Sequence, residues 1–168
     1  MRRPLDKNVE KGASVADLEA LYRSRYRSFL RVARLISGDE TRAHDAVQDG
    51  FAAAIKGLES YRGTGTLEAW VWRAVVHAST RHRHGDELPL ADEEEPTTNG
   101  SITTEDRTLR VWIAALPERQ RLAVFLRYYA DLDYRAIASA LEIEVGTVSA
   151  TLAAAHTALR KGLQEVPR

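Results

Sequence analysis

Arg73, His77, Arg81, His82, Arg83 and His84 crowd the tail of one apolar-periodic stretch, close behind Trp70 and Trp72. Cations interleaved with aromatic rings suit single-stranded nucleic acid, because the cations neutralise phosphates while rings and loop pockets accept unstacked bases. The imidazoles also suggest metal ligation. On a helix, however, His82 and His84 point about 200° apart, and no carboxylate or thiol stands at ligand spacing. The chain has no cysteine, so a thiolate zinc site and a disulfide framework are both excluded. No glycine-rich phosphate loop and no nucleophile–base pair is legible, so an enzyme is the least supported class and no cofactor is expected. Packing competes for the indoles: core burial is the simpler reading for Trp70, while Trp72 is balanced between core and surface.

The elements that must position these groups follow from periodicity. Tyr61, Arg62, Gly63, Thr64 and Gly65 form a loop, and Thr66 can cap a helix in which Leu67, Trp70, Val71, Ala74, Val75 and Ala78 recur at helical spacing. Upstream, Ser14 to Ser37 reads as an amphipathic helix with Leu18, Leu21, Tyr22, Phe29, Leu30, Ala33 and Ile36 inside and Arg23, Arg27, Arg31 and Arg34 outside. Gly38-Asp39-Glu40-Thr41 breaks it. A second helix then buries Ala43, Ala46, Val47, Ala54, Ile55 and Leu58 with Phe51 beneath, and leaves His44, Asp45, Gln48 and Asp49 for solvent or a partner.

At the other end, Pro117 and Glu118 suit the first turn of a helix carrying Leu122, Phe125, Leu126 and Tyr129. After Asp131-Leu132-Asp133, a short helix capped by Asp133 buries Ile137, Ala138 and Leu141. Three residues later a long helix begins, lined inside by Val148, Leu152, Ala155, Leu159 and Leu163. That is the pattern of a helix-turn-helix, in which the N-terminal outer face of the second helix enters a DNA major groove. Thr147, Ser149, Ala150, Ala153 and His156 lie on or near that face. An ordinary helical hairpin in a bundle is the bland alternative.

The net charge of zero conceals a division. Residues 1–84 carry 15 Lys+Arg against 10 Asp+Glu, residues 85–106 carry none against 8, and residues 107–168 carry 9 against 6. Two basic ends flank an acidic middle, as expected if both ends meet nucleic acid. The middle also holds Pro89, Pro96 and Asn99-Gly100 with few large apolar groups, too few to offset its ordering entropy. The fold expected is therefore all-α, with two small helical domains, 14–84 and 107–165, joined by a flexible acidic linker over 85–106. No run approaches the roughly 20 apolar residues that span a bilayer, and Met1 to Asp6 lacks a signal segment, so no membrane is expected and the chain is read as cytoplasmic.

With both ends in view the chain resembles the bacterial RNA polymerase sigma factors of the small, two-domain extracytoplasmic-function group of the sigma-70 family. Asp45-Ala46-Val47-Gln48-Asp49-Gly50-Phe51 is similar to the family's D-A-V-Q-E-T-F core-binding helix. Tyr61-Arg62-Gly63 with Ala69-Trp70-Val71-Trp72-Arg73 is similar to its promoter-melting segment. Leu116-Pro117-Glu118-Arg119-Gln120-Arg121 and Val145-Gly146-Thr147-Val148 are similar to its C-terminal domain. Each string is short, but together, in this order across an acidic linker, they cover nearly the whole chain.

The resemblance implies roles. Asp45, Gln48 and Asp49 would contact the largest subunit of core RNA polymerase. Tyr61, Arg62, Gly63, Thr64 and Gly65 would receive a base flipped from the minus-ten element, and Trp70, Arg73, His77 and Arg81 would line the melted strand. Arg135, Thr147, Ser149, Ala150 and Thr151 would meet double-stranded minus-thirty-five DNA. The acidic linker would thread the polymerase's basic RNA path, so that neutralising Glu93, Glu94 and Glu95 changes abortive RNA yield, and an anti-sigma factor is a possible further partner.

Two departures stand out. Where the family continues K-S-R and further arginines, this chain has Ser149-Ala150-Thr151 and Ala153-Ala154-Ala155, leaving Arg160 and Lys161 as the helix's only cations. Weak autonomous binding to minus-thirty-five DNA is then expected. His77 stands where the family usually has Asn and Arg81 near a usual Asp, which bears on minus-ten preference. An imidazole at that place would also make DNA opening sensitive to pH. Two other readings compete: a free-standing helix-turn-helix regulator, which predicts tight operator binding without polymerase, and a helical interaction protein, which predicts no promoter dependence.

Overall fold

The computed structural model describes residues 12–83 and 104–164, all helix, turn or irregular chain with no strand among them. The first half contains α1 (Val15–Ser37), α2 (Glu40–Gly57), a single 3₁₀ turn (Leu58–Ser60) and α3 (Leu67–His82). The second contains α4 (Thr104–Ala115), α5 (Glu118–Tyr128), α6 (Tyr134–Leu141) and α7 (Val145–Gln164). Most of the acidic stretch read as a linker lies outside the described residues. Its last three positions, 104–106, are the first turn of α4.

Local chemistry sets the helix starts. The Ser14 hydroxyl accepts from the Asp17 amide while the Asp17 carboxylate accepts from the Ser14 amide, a reciprocal capping box. Asp39, Thr66 and Asp133 cap α2, α3 and α6 through the amides of Arg42, Ala69 and Ala136. The caps expected from Thr66 and Asp133 are thus borne out.

In the first half α1, α2 and α3 close around an aromatic cluster. Phe29 packs on Trp72 with ring centroids 4.2 Å apart and meets Phe51 edge-on at 5.1 Å, and Tyr22 meets the same Phe51 at 4.9 Å. Helices α2 and α3 approach closely because Gly50 has no side chain: a Cβ there would lie 2.8 Å from the Val75 Cα. In the second half Leu116, Phe125, Leu126, Leu132, Ile137, Val148 and Leu152 form the interior. Arg121 is buried among them, and its Nη1 donates to the carbonyls of Ala114 and Leu116 at 2.9 and 3.1 Å, fastening α5 to the turn that precedes it.

The two halves meet. Helix α3 packs on α6, and the buried apolar side chains form one continuous cluster from Leu18 to Ala155. Polar ties reinforce the seam: Arg25 of α1 pairs with Glu68 at 2.8 Å and donates to the Ala130 carbonyl at 2.6 Å, and Arg83 reaches Glu118 at 3.1 Å.

Candidate nucleic-acid interface

The apolar stripe of α3 is wider than its strongest repeat suggested. Ala69, Val71, Trp72, Val75, Val76, Ala78 and Ser79 are buried, because α1 and α2 cover one side and α6 covers another. Trp72 is the core indole at 0% exposure, its Nε1 donating to Glu68 at 3.4 Å. Trp70 is only half-buried, so the expectation that it would be the more deeply packed indole is reversed. Its ring leans over Gly57 and lies 5.3 Å from the ring of Tyr61.

Tyr61 closes the adjoining loop on itself, its hydroxyl donating to the Gly65 carbonyl at 2.9 Å. Gly63 and Gly65 have φ of 70° and 91°, a left-handed conformation that glycine adopts without a steric penalty. Nothing lies within 4 Å of where either Cβ would be, and Arg62, Thr64 and their flanking glycines are exposed. The result is an open loop, closed by one hydrogen bond and flanked on one side by two aromatic rings. One turn and more along α3, Arg73, His77 and Arg81 emerge on the exposed face, so the structure brings loop, indole and cations onto one side of the first half.

Arg73 and His77 do not stand alone there. The Glu142 carboxylate, from the second half, takes Arg73 on one oxygen at 2.5 Å and His77 on the other at 3.1 Å. Between α3 and the facing helices a cavity of about 430 Å³ is lined by Val76, His77, Arg81, Arg119, Leu122 and Leu141 among others.

On α2, Asp45, Gln48 and Asp49 are all exposed along one edge, as their spacing required. Asp49 pairs with His82 of α3 at 2.8 Å. Behind this edge the Tyr26 hydroxyl and His44 Nδ1 lie 2.6 Å apart and join α1 to α2. Burial first, then the neighbouring Tyr22, raises the pKa of the Tyr26 phenol.

In the second half α6 and α7 are separated by three residues and turn through 97°, the angle and turn length of a helix-turn-helix. Exposed on α7 are Thr147, Ser149 and Ala150, and Arg135 is exposed on α6. Thr151 is a correction. It sits at 9% exposure, three residues after Val148 and four before Ala155, so it belongs to the buried stripe and is turned away from any groove. Gly146, in the first turn of α7, has nothing within 4 Å of its missing Cβ, so the backbone is approachable from outside.

Sequence reasoning missed Glu142. The partners of its carboxylate, Arg73 and His77, lie far away in the chain, so no local spacing signals it. Among the described residues no group of His, Cys, Asp and Glu is arranged to hold a metal ion, and no single helix is long and apolar enough to cross a membrane.

Comparison with known proteins fits this geometry. Residues 21–86 match the model of sigma-70 region 2, and residues 107–159 match that of sigma-70 region 4. The chain is 27% identical over 158 residues to the RNA polymerase sigma factor YlaC of Bacillus subtilis, covering 87% of this chain and 91% of that one. It is 28% identical over 184 residues to the ECF RNA polymerase sigma-E factor of Escherichia coli K12, covering 98% and 95%. Among solved structures, CnrH in complex with the cytosolic domain of CnrY matches with a TM-score of 0.68 at 19% identity, over 92% of both chains. The sigma factor RpoE in complex with the anti-sigma factor NepR from Bartonella quintana matches with a TM-score of 0.67 at 20% identity, over 90% of this chain and 99% of that one. The chain belongs to the sigma-70 family, as an extracytoplasmic-function sigma factor that acts in transcription initiation and not as a free-standing regulator.

Proposed function

We propose that residues 14–84 bind core RNA polymerase and open the minus-ten element, that residues 107–165 read the minus-thirty-five element, and that residues 85–106 connect them. The observation that carries this reading is the grouping on one side of the first half. The open Tyr61–Gly65 loop, the half-buried Trp70 and the exposed Arg73, His77 and Arg81 lie together. Extruding a base costs a few kcal/mol, so a pre-shaped loop that accepts one base, beside cations that hold the strand, converts melting into sequence selection.

Asp45, Gln48 and Asp49 are the polar and acidic edge that meets the polymerase's largest subunit. Thr147, Ser149 and Ala150 offer hydroxyls and methyls to base edges in the major groove, with Arg135 on a phosphate. Few phosphates are neutralised from α7, so the second domain depends on tethering to the polymerase for its effective concentration. The chain does no covalent chemistry and works in the cytoplasm, where the polymerase is. An anti-sigma factor holds it inactive, as a partner of that kind is bound to the structurally similar RpoE.

The test is in vitro transcription by core polymerase on a genomic fragment library, with and without this protein. New start sites that vanish for Arg73→Ala, with core binding intact, are expected. Association with core that leaves the start sites unchanged would refute the assignment.

A further inference from the structure

From Ala20 to Gly38 the chain carries five arginines and no acidic residue. Arg25 is committed to the seam, through Glu68 and the Ala130 carbonyl. Arg23, Arg27 and Arg31 are exposed and stand four residues apart, so they form one row about 12 Å long on α1. Phe29, Val32 and Ile36 are buried on the inner side of the same helix, where α2 and α3 pack. At 3.6 residues per turn the three arginines fall on the opposite side, facing away from both. Arg23 is tied to Glu19 at 2.6 Å. Among the described residues Arg27 and Arg31 have no acidic partner.

We propose that this outer face of α1 is a further DNA contact, separate from those of α3 and α7, and that it holds the phosphate backbone of duplex promoter DNA. A row of unneutralised guanidinium groups has an anionic complement, and the planar fork of arginine matches phosphate oxygens two at a time. The contact also supplies what α7 lacks, since the cations of that helix are confined to Arg160 and Lys161 near its end.

Three kinds of polyanion could complement the row, and the rest of the face distinguishes them. A single strand is held by rings on which its bases stack, as well as by cations. Here both tyrosines of α1 are turned inward, Tyr22 onto Phe51 and Tyr26 onto His44. An acidic protein surface would be anchored by large apolar or aromatic groups at the centre of its interface. The only strongly exposed large apolar residue of α1 is Val15, in its first turn, two turns before Arg23. A duplex backbone needs cations alone and carries no sequence information, which is what this face can meet.

The test is the salt dependence of binding by the full chain to a fluorescein-labelled mixed-sequence duplex of about 40 base pairs and to one of its strands, read by anisotropy. Arg27→Gln and Arg31→Gln should each weaken duplex binding roughly tenfold near 0.1 M salt, and together should flatten the log–log slope by about 1.8, as expected for two lost phosphate contacts. Arg23→Gln should have a smaller effect, because Glu19 already shares its charge. Glutamine keeps the helix propensity of arginine at these exposed positions, so an unchanged urea midpoint is expected for every variant. Affinity for core polymerase should also stay unchanged. Core affinity that falls while the duplex slope is unaltered would assign the row to the polymerase and overturn the proposal. A loss on the single strand as large as on the duplex, or no loss on either, would overturn it too.

Discussion

Helices α3 and α7 are the two proposed to offer a face to the promoter elements, and they are built differently. The outer face of α3 carries Arg73, His77 and Arg81. That of α7 carries Thr147, Ser149, Ala150, Ala153 and Ala154, and its cations, Arg160 and Lys161, begin 13 residues after Thr147, about 20 Å away along the axis. The proposed roles account for this difference: a separated strand has lost its pairing partner and must be held by phosphate and base contacts together, which suits the charge on α3, whereas a duplex held near by a tether needs only recognition, which suits α7.

The helices also differ in how they are seated. Helix α3 rests backbone to backbone on Gly50 of α2, where an added Cβ would lie 2.8 Å from the Val75 Cα and 2.9 Å from its amide nitrogen. Helix α7 rests its own Gly162 on the Trp112 ring, whose atoms would lie 2.5–2.8 Å from an added Cβ. A ring can swing aside more easily than a helix backbone can retreat. Helix α3 thus has the less yielding seat of the two.

Substitutions at these seats test the contrast most severely. Gly50→Ala should cost about 3 kcal/mol of stability, since two of the three clashing atoms are backbone; urea denaturation reads this, and an unshifted midpoint would remove the distinction. Arg121→Ala should cost about 2 kcal/mol by leaving the carbonyls of Ala114 and Leu116 short of a donor. Burial, and then the charge of Arg83, lowers the Arg121 pKa while Glu118 opposes the shift. A lowered folded-state pKa makes protonation costlier in the fold, so any pH-linked change appears only on the alkaline side as the group nears deprotonation. The loss should therefore be equal at pH 6 and pH 8.

Adding charge to α7 sharpens the comparison from the other side. Ala150→Lys should raise promoter affinity of the loaded polymerase by up to about tenfold at low salt and steepen its salt dependence by roughly 0.9 in log–log slope. An unchanged slope would mean that α7 does not face phosphate at all. Gly162→Ala should cost about 1 kcal/mol, clearly less than Gly50→Ala, because the indole can move. The smallest effect is expected from Tyr61→Phe, which removes one exposed hydrogen bond worth about 0.5–1 kcal/mol and should slow promoter opening a few-fold by loosening the loop. Normal opening with a loosened loop would show that loop shape is dispensable.

Much of the candidate site was legible in residue spacing. The capping residues Thr66 and Asp133, the helix-turn-helix, and the exposure of Asp45, Gln48 and Asp49 all follow from period and hydrogen-bond chemistry within a few residues. Thr151 and the two indoles were harder because each lies at the border of an apolar stripe. There, a rotation of one residue decides burial, and the neighbouring helices set that rotation.

Composition and periodicity therefore determined by themselves an all-helical chain with basic ends and a right-angled pair of helices near its C-terminus, since those properties depend on contacts made within a turn or two. Which indole is core, which glycine carries the close approach, and that Glu142 reaches Arg73 and His77 were decided only by tertiary structure. Each depends on groups far apart in the chain being brought within a few ångströms, and no local signal encodes that distance.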